Sequence, residues 1–345
     1  MPIDRLRMGP ACYHVLHILP PMVAHEMNFF VDEGLVDRNG RPAYDILPGG
    51  LSPFNAEKTS LAQSMKEKGA HIAMDVKPSS VVYLNRRGAN LRIIAGWRNQ
   101  QPNWVMGKPE IRSLAELRGQ LVGLKDFGNI RYWALAYRIQ QAGLNPQQDV
   151  RYIRGMSDGA TALRNGKVDA AFVTVEDGPE MLDEGFTKLV DLSILYPEGR
   201  PDRIIVATDD FLNERPDWAN AYVKGMIRAY WFMRIMPDNF NYLNNLERRM
   251  RHQSFDPEEQ VIPLSCRTPL SCELMPFPID GQATGFDTYL KEWVELGELD
   301  EEDVAVLQES VRQDIAREAF SELQARAELK STLERAREVA SRIGY

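Results

Sequence analysis

Two residues near the start of the sequence have side chains that could perform nucleophilic chemistry. Cys12 and His14 lie between a predicted strand at residues 6–10 and a predicted helix. A helix N-terminus stabilises a thiolate, and an adjacent imidazole can accept the thiol proton. Together with Arg98 as an anion-binding partner, they form the catalytic set that we predict if the chain is an enzyme. The alternative is that Cys12 is a small packed residue.

No metal or cofactor site is predicted. Cys12, His14 and His17 form a C-x-H-x-x-H pattern, which lacks the second ligand pair of a structural zinc site. We therefore expect histidines that line a pocket or pack in the core, and no metal or cofactor.

Two polar segments in the first part of the chain are suited to binding an anion. Gly49–Ser52 and Asp75–Ser80 each connect a predicted strand to a predicted helix, a geometry that exposes backbone N–H groups. Lys77 would add positive charge. Ser79 and Ser80 could donate hydrogen bonds to a ligand, cap the helix, or do both.

Aromatic and charged residues extend the predicted site. Trp97 and Arg98 offer a stacking surface and a bidentate contact for a planar acid, with packing at a hinge as the alternative for the tryptophan. Bulky, aromatic residues fill the loop 125–132. In the loop 174–179, Glu176 and Asp177 could hold a polar or cationic group, with a solvated loop as the alternative. The predicted ligand-binding residues are Tyr13, His14, Ser52, Asp75, Lys77, Ser79, Ser80, Trp97, Arg98, Asp126, Asn129, Arg131, Tyr132 and Glu176.

The elements that must position these residues alternate between strands and helices. Apolar residues at helical spacing predict a helix that ends at Gly143, and short apolar runs around it predict strands. Such units form a parallel sheet, and ligands bind beyond the carboxyl ends of its strands. The predicted elements are the strands Leu121–Leu124, Val150–Ile153 and Val168–Val175 and the helices Ile130–Ala142 and Gly159–Asn165.

The first part of the chain alternates in the same way. A helix is predicted over Leu16–Glu33, and because proline is tolerated in a first helical turn, we place its start at Pro20–Pro21. The further elements predicted here are the strands Ala43–Leu47, Ile72–Met74 and Leu91–Ala95 and the helices Glu57–Glu67 and Pro78–Arg87.

Several strings in the sequence resemble one known family. NFFVDEGL resembles the family's first helix, and SLAELRGQLVGL with ALRNGKVDAAFV resembles the second lobe of a type II periplasmic binding protein. The branch is that of the aliphatic-sulfonate, nitrate and taurine binding proteins, which also contains thiamine-pyrimidine synthases and a biphenyl-sulfinate desulfinase. The resemblance covers most of residues 6–300. It specifies a fold better than a function.

The resemblance implies a two-lobed α/β fold in which each lobe is a mixed, mostly parallel sheet flanked by helices. It places the ligand in a cleft between the lobes, which close about a hinge. The predicted boundaries are 1–98 and 198–300 for lobe 1, 99–197 for lobe 2, and 301–345 for a helical C-terminal extension.

Two classes of function follow from this family. The first is the substrate-binding protein of an ABC transporter, which binds a small organic anion and a permease. The second is a cytosolic, cofactor-free enzyme, a decarboxylase, desulfinase or hydrolase of an aromatic acid. The desulfinase uses a cysteine from the loop that Cys12 resembles, but its Arg-x-Gly-Gly motif has no counterpart in Leu47–Glu57. The cysteine-rich iron site of the thiamine-pyrimidine synthases is also missing.

Composition excludes some partners. The 345 residues carry a net charge of −8, which gives no basic surface for nucleic acid, and no apolar run approaches a membrane span. His25-Glu26 stands where a signal-peptide cleavage site would be needed, so we predict a cytoplasmic protein as written, or a periplasmic one if a leader has been removed. Cys266 and Cys272 would pair only in the exported case.

The last part of the chain is charged and strongly helical. Apolar positions from Val304 to Leu323 suit a helix that packs on the body of the protein. Ala325–Ile343 could form the arm of a homodimer, and a solvated surface helix is the alternative.

Overall fold

The computed structural model describes residues 3–11, 15–47, 50–51, 61–100, 103–125, 127, 130–174, 177–192, 196, 198–235, 277–297 and 299–342. The chain divides into two compact units. Unit 1 comprises Met1–Asn99, Pro201–Thr284 and Ala305–Tyr345, and unit 2 comprises Gln100–Arg200 and Gly285–Val304. The division thus differs from the predicted one near the C-terminus, because Gly285–Val304 belongs to unit 2 and the predicted extension is divided between the units.

Unit 1 is built on a five-stranded sheet of order β2-β1-β3-β10-β4. β1 pairs in parallel with β2 and β3, and β10 is antiparallel to both β3 and β4. The carboxyl ends of β1, β3 and β4 therefore lie at one edge of the sheet, where β10 begins. The strands are β1 (Leu6–Pro10), β2 (Tyr44–Ile46), β3 (Ile72–Val76), β4 (Leu91–Arg98) and β10 (Arg203–Thr208).

Helices cover this sheet and form the largest apolar core. The longest, α9, spans Pro216–Arg234 and buries Trp218, Tyr222 and Tyr230 among its inward side chains. The helices of the unit are α1 (Val15–Glu26), α2 (Phe29–Asp32), α3 (Leu61–Lys68), α4 (Pro78–Asn85), α8 (Asp209–Glu214), α9 (Pro216–Arg234), α11 (Glu301–Ser310), α12 (Gln313–Gln324) and α13 (Lys330–Arg342), with the first residues of α11 assigned to unit 2.

The first helix differs from its prediction in two ways. It begins at Val15 and contains Pro20 and Pro21, so the predicted start at the prolines is wrong. It also ends at Glu26 instead of continuing to Glu33, because Asn28 adopts a left-handed backbone with φ 58° that separates α1 from α2. Burial of the helix against the core outweighs the proline penalty, since Leu19, Val23 and Ala24 are at most 1 % exposed.

The C-terminal helices pack on unit 1. Leu323, Leu333 and Ala336 belong to the same apolar core as α9. The buried carboxylate of Glu33 accepts hydrogen bonds from Arg228 on α9 and from Arg326, which follows α12. The apolar stripe of Ala325–Ile343 is thus used inside the chain, which removes the reason for predicting a dimer arm there.

Unit 2 has a second five-stranded sheet, of order β7-β6-β8-β5-β9. β6 is parallel to β7 and β8, and β5 is antiparallel to β8 and β9. Its strands are β5 (Asn103–Gly107), β6 (Leu121–Gly123), β7 (Arg151–Ile153), β8 (Ala170–Thr174) and β9 (Thr187–Asp191). Its helices are α5 (Ile130–Gln141), α6 (Gly159–Arg164), α7 (Gly178–Asp183) and α10 (Phe286–Glu295), with a 3₁₀ turn at Leu114–Leu117.

Local chemistry explains where these elements begin and end. Ser113 and Glu116 form a capping box at the 3₁₀ turn, and Asp158 caps α6 by accepting from the backbone of Thr161. Gly143 follows α5 with φ 81°, a conformation that glycine adopts without strain. In the described part of the chain, each helix is either too short or too polar to cross a membrane.

Candidate functional site

The carboxyl edge of the unit 1 sheet carries a buried cluster of charges. Arg98, the last residue of β4, donates to Asp202 with 2.9 Å between Nη2 and Oδ2. Arg203, the first residue of β10, contacts the other oxygen of Asp202 at 2.7 Å. Asp75 lies 3.9 Å from Arg98 and 3.5 Å from Arg203. The cluster balances two carboxylates with two guanidinium groups, as burial requires.

Within this charge cluster, two features stand out. Asp75 is only 4 % exposed and has φ 62°, a left-handed conformation in the middle of a register shift between β3 and β10. The Nε of Arg98 is buried and has no hydrogen-bond acceptor among the described residues. A buried guanidinium N–H without an acceptor is costly, and a ligand oxygen would satisfy it.

The N-terminus of α4 lies at the same edge. The backbone of Lys77 is extended, Pro78 opens the helix, and the helix contains the half-buried Ser79 and Ser80. The backbone N–H of Ser80 donates to the carbonyl of Lys77 at 3.0 Å. The helix dipole and the Lys77 ammonium add to the positive potential at this edge.

Trp97 at the end of β4 and Trp104 in β5 are both packed against other parts of the protein. Trp97 is fully buried and makes edge-to-face contacts with Tyr230 and Phe277, an arrangement that matches the packing alternative. In unit 2, Trp104 covers Gly178 so closely that a Cβ there would lie 2.1 Å from the indole ring. Trp97 therefore offers no exposed ring face for a ligand to stack on.

The carboxyl edge of the unit 2 sheet contains a small cavity of about 30 Å³, which is large enough for a water-sized group. It is bordered by the end of β6, the first turn of α5 and the start of α6. Its polar side chains are those of Lys125, Arg131 and Ser157. The lining residues are Gly123, Leu124, Lys125, Arg131, Tyr132, Met156, Ser157, Gly159 and Phe172.

Aromatic rings extend from this cavity toward solvent. Phe127 is 38 % exposed, and its ring is in edge-to-face contact with Tyr132 at 4.9 Å and Tyr152 at 5.6 Å. The guanidinium of Arg154 lies 5.6 Å from the Phe127 ring. Burial raises the pKa of the Tyr152 phenol well above its usual range, so this ring is neutral.

Other predicted site residues lie outside the described residues. They are Cys12, Tyr13, His14, Ser52, Asp126, Asn129 and Glu176. Among the described residues, Asp75 and Arg98 come together in unit 1, and Arg131 and Tyr132 come together in unit 2. No group of three His, Cys, Asp or Glu side chains with the spacing of a metal site occurs in the described part of the chain.

Sequence reasoning missed two members of the charge cluster. Asp202, which pairs with Arg98, and Arg203, which pairs with Asp202, follow Pro201, and neither was predicted as a site residue. The sequence did contain a sign of them, because Asp202 and Arg203 directly precede an apolar strand. Charges next to a buried strand must be paired, which marks them as candidates for an ion-pair cluster. Ser157 was also missed, since it lies in a loop that no motif marks.

Comparison with solved structures identifies the fold. The chain is similar to the periplasmic sulfonate-binding protein SsuA from Methylobacillus flagellatus KT, with a TM-score of 0.62 at 15% identity over 94% of this chain and 96% of that one. The nitrate-binding protein NrtA from Synechocystis PCC 6803 gives 0.57 at 14% identity, over 94% and 90%. The desulfurization enzyme DszB gives 0.54 at 14% identity, over 92% and 99%. The predicted fold of a type II periplasmic binding protein is confirmed.

The family follows from the sequence itself. The sequence model of the NMT1/THI5-like family matches residues 50–240, more than half of the 345 residues. The chain therefore belongs to this family, and the predicted resemblance is confirmed. No curated protein sequence matches the chain.

Proposed function

We propose that this protein binds a small organic anion. The observation that carries this proposal is the presence of cationic side chains at the carboxyl edge of each sheet. In unit 1, the buried Nε–H of Arg98 has no acceptor among the described residues. In unit 2, Lys125, Arg131 and Ser157 border a cavity of the size of one oxygen-bearing group. Guanidinium and ammonium groups at helix N-termini are the chemistry that binds carboxylates and sulfonates.

The finer proposal is that the anion is an aromatic or heteroaromatic carboxylate or sulfonate. The exposed ring of Phe127, next to Tyr132, supports an aromatic ligand. Two aromatic rings whose centroids lie about 4.5–7 Å apart attract each other more strongly than the burial of their apolar surface alone explains. The aliphatic alternative would use the same charged groups without the ring.

We further propose that the protein is the substrate-binding component of an ABC importer and acts outside the cytoplasm. Its fold is shared with a sulfonate-binding and a nitrate-binding protein, both of which are periplasmic by name. In this role the ligand would sit in the predicted interlobe cleft, hinge closure would accompany binding, and a permease would be the partner. A leader sequence encoded upstream of this chain in its gene would support the location.

A second candidate is supported by the similarity to the desulfurization enzyme DszB. On this proposal the chain is a cofactor-free enzyme that acts on an aromatic acid, with Cys12, His14 and Arg98 as the reacting and binding residues. The two proposals share a ligand class and differ in whether the ligand is consumed.

One experiment separates them. Thermal shift and calorimetry are measured with matched pairs, benzenesulfonate against methanesulfonate and benzoate against acetate, and each ligand is recovered and identified afterwards. Binding of an aromatic acid that is recovered unchanged supports the receptor. A ligand that is consumed, with turnover lost in Cys12→Ala, supports the enzyme. If none of these anions shifts the melting temperature, anion binding by this site is contradicted.

A further inference from the structure

Helix α10 belongs to unit 2 although the chain on both sides of its segment belongs to unit 1. The chain enters unit 2 at the start of Gly285–Val304 and returns to unit 1 after it. One face of the helix lies inside the unit, because Tyr289, Glu292 and Trp293 are at most 3 % exposed. A buried carboxylate on such a face is unfavourable unless it is paired.

Glu292 is paired with the segment where the chain leaves unit 2. Its Oε1 accepts from the Tyr196 hydroxyl at 2.6 Å, and its Oε2 accepts from Nε of Arg200 at 2.7 Å. The Arg200 side chain is only 1 % exposed, and its guanidinium also lies 5.2 Å from the Tyr289 ring. Arg200 is the last residue of unit 2 before Pro201. A buried, bidentately satisfied carboxylate therefore anchors α10 to this segment.

The same helix packs on the anion-binding part of unit 2. The Trp293 ring lies 5.5 Å from the Trp133 ring on α5, and Trp133 lies 5.7 Å from Tyr132. Leu296, just after α10, packs with the cluster that contains Tyr132. The first turn of α5 contributes Arg131 and Tyr132 to the lining of the cavity. The helix α10 therefore packs against the same turn of α5 through Trp133.

We propose that α10 positions the first turn of α5, and that Glu292 is the positioning residue that holds α10 in place. The role of Arg131 and Tyr132 in anion binding rests on the proposed function, whereas the positioning itself does not. Loss of the Glu292 charge removes a counter-ion of the buried Arg200 and weakens the attachment of α10. Because the Trp293 ring contacts Trp133, the first turn of α5 then becomes less rigid as well. Glu292 need not touch the ligand to affect it.

The test compares Glu292→Gln with Glu33→Gln. Both replace a buried, cation-paired carboxylate, but Glu33 lies in unit 1 and contacts Arg228 and Arg326. In ligand-free protein we expect amide hydrogen exchange in the first turn of α5 to accelerate about tenfold in Glu292→Gln and to stay unchanged in Glu33→Gln. We expect benzenesulfonate affinity to fall roughly tenfold in Glu292→Gln alone, since small displacements of a binding group are costly.

Each outcome decides a separate point. Equal exchange at α5 in both variants overturns the positioning role of Glu292. Faster exchange at α5 with unchanged benzenesulfonate affinity overturns its role in ligand binding. Absence of benzenesulfonate binding in the unsubstituted protein contradicts the proposed aromatic ligand instead, and the exchange comparison then still decides whether α10 positions α5.

Discussion

The carboxyl edges of the two sheets use charge in opposite ways. In unit 1, Arg98, Asp75 and Asp202 are buried, Arg203 is half-buried, and their opposite charges are paired. In unit 2, the charged groups lie around a small cavity, and the Phe127 ring, which contacts the lining residue Tyr132, is 38 % exposed. The first edge has its geometry fixed before a ligand arrives, whereas the second can adjust to the ligand.

This difference has an energetic meaning. Burying a guanidinium and two carboxylates is tolerated only while all of them remain paired, so the unit 1 cluster is sensitive to any change in its members. Removing one of several half-exposed charged side chains costs little folding free energy, because water replaces the missing partner. Affinity for an anion is therefore expected to depend on unit 1, and preference among anions on unit 2.

The largest effect is expected from Arg98→Met. It removes a cationic partner from both Asp75 and Asp202, and loss of one partner from a buried ion pair costs about 3 kcal/mol or more. We expect the free energy of unfolding in urea to fall by about that amount and benzenesulfonate binding to be lost.

The matched control is Arg118→Met in unit 2. Arg118 pairs with Asp149, but its side chain is 62% exposed, so the expected loss is at most about 1 kcal/mol. Equal losses in the two variants would contradict the distinction between a buried and an exposed charge cluster.

A second, smaller effect is expected at the cavity of unit 2. Gly159 opens α6, and a Cβ there would lie 2.0 Å from the backbone oxygen of Phe172. Backbone cannot move aside as a flexible side chain can, so Gly159→Ala should cost about 1–3 kcal/mol in urea unfolding and distort the cavity. Ser157→Ala removes a hydroxyl from the same lining without adding an atom, and we expect it to leave stability unchanged. If Gly159→Ala is as stable as the unsubstituted protein, the backbone at Phe172 can move to make room for the added methyl group, and the predicted cost is contradicted.

A third prediction concerns the exposed ring. Phe127→Ala should weaken benzenesulfonate binding by about 0.5–1.5 kcal/mol, the contribution of one aromatic pair, and leave methanesulfonate binding unchanged. Calorimetry with both ligands measures the difference. Tyr83→Ala is the control, because Tyr83 is an exposed aromatic residue of unit 1, at 54 % exposure, and is not among the residues that line the cavity. Equal losses for both sulfonates would contradict stacking by Phe127.

Much of the fold could be predicted from local patterns. The helix predicted over Ile130–Ala142 is α5, Ile130–Gln141, because apolar spacing and the glycine at its end are local signals. The start of α1 was missed since tertiary burial of Leu19 and Val23 outweighs the local signal of Pro20–Pro21. The return of Gly285–Val304 to unit 2 was missed because no local pattern records which sheet a helix packs on.

The candidate site was predicted only in part. Arg98 and Asp75 were chosen for their positions after strands, and the structure brings them within 3.9 Å of each other. Asp202, the partner of Arg98, could not be chosen in this way, because it is more than a hundred residues away from Arg98 in the chain and its approach depends on the pairing of β10 with β3 and β4. Trp97 was chosen because its ring could stack on a ligand. The ring is fully buried in the folded unit, and the exposure of a side chain cannot be read from the local sequence.

The smallest effect is expected at the opposite end of β4, where Arg92 pairs with Asp209. Both side chains are about 30% exposed, and the hydrogen bonds from Arg92 hold the pKa of Asp209 below its usual value of 3.8. A carboxylate with a lowered pKa stabilises the fold above its unfolded pKa, and this contribution is lost as the pH falls through the folded pKa. Asp209→Asn should therefore reduce the free energy of unfolding by at most about 1 kcal/mol at neutral pH, and the difference from the unsubstituted protein should be smaller at a pH below 3.8, where the carboxylate begins to take up a proton. Urea titrations at the two pH values measure it. A loss as large as that of Arg98→Met would show that the position of an ion pair on β4, and not its burial, determines how much the pair contributes.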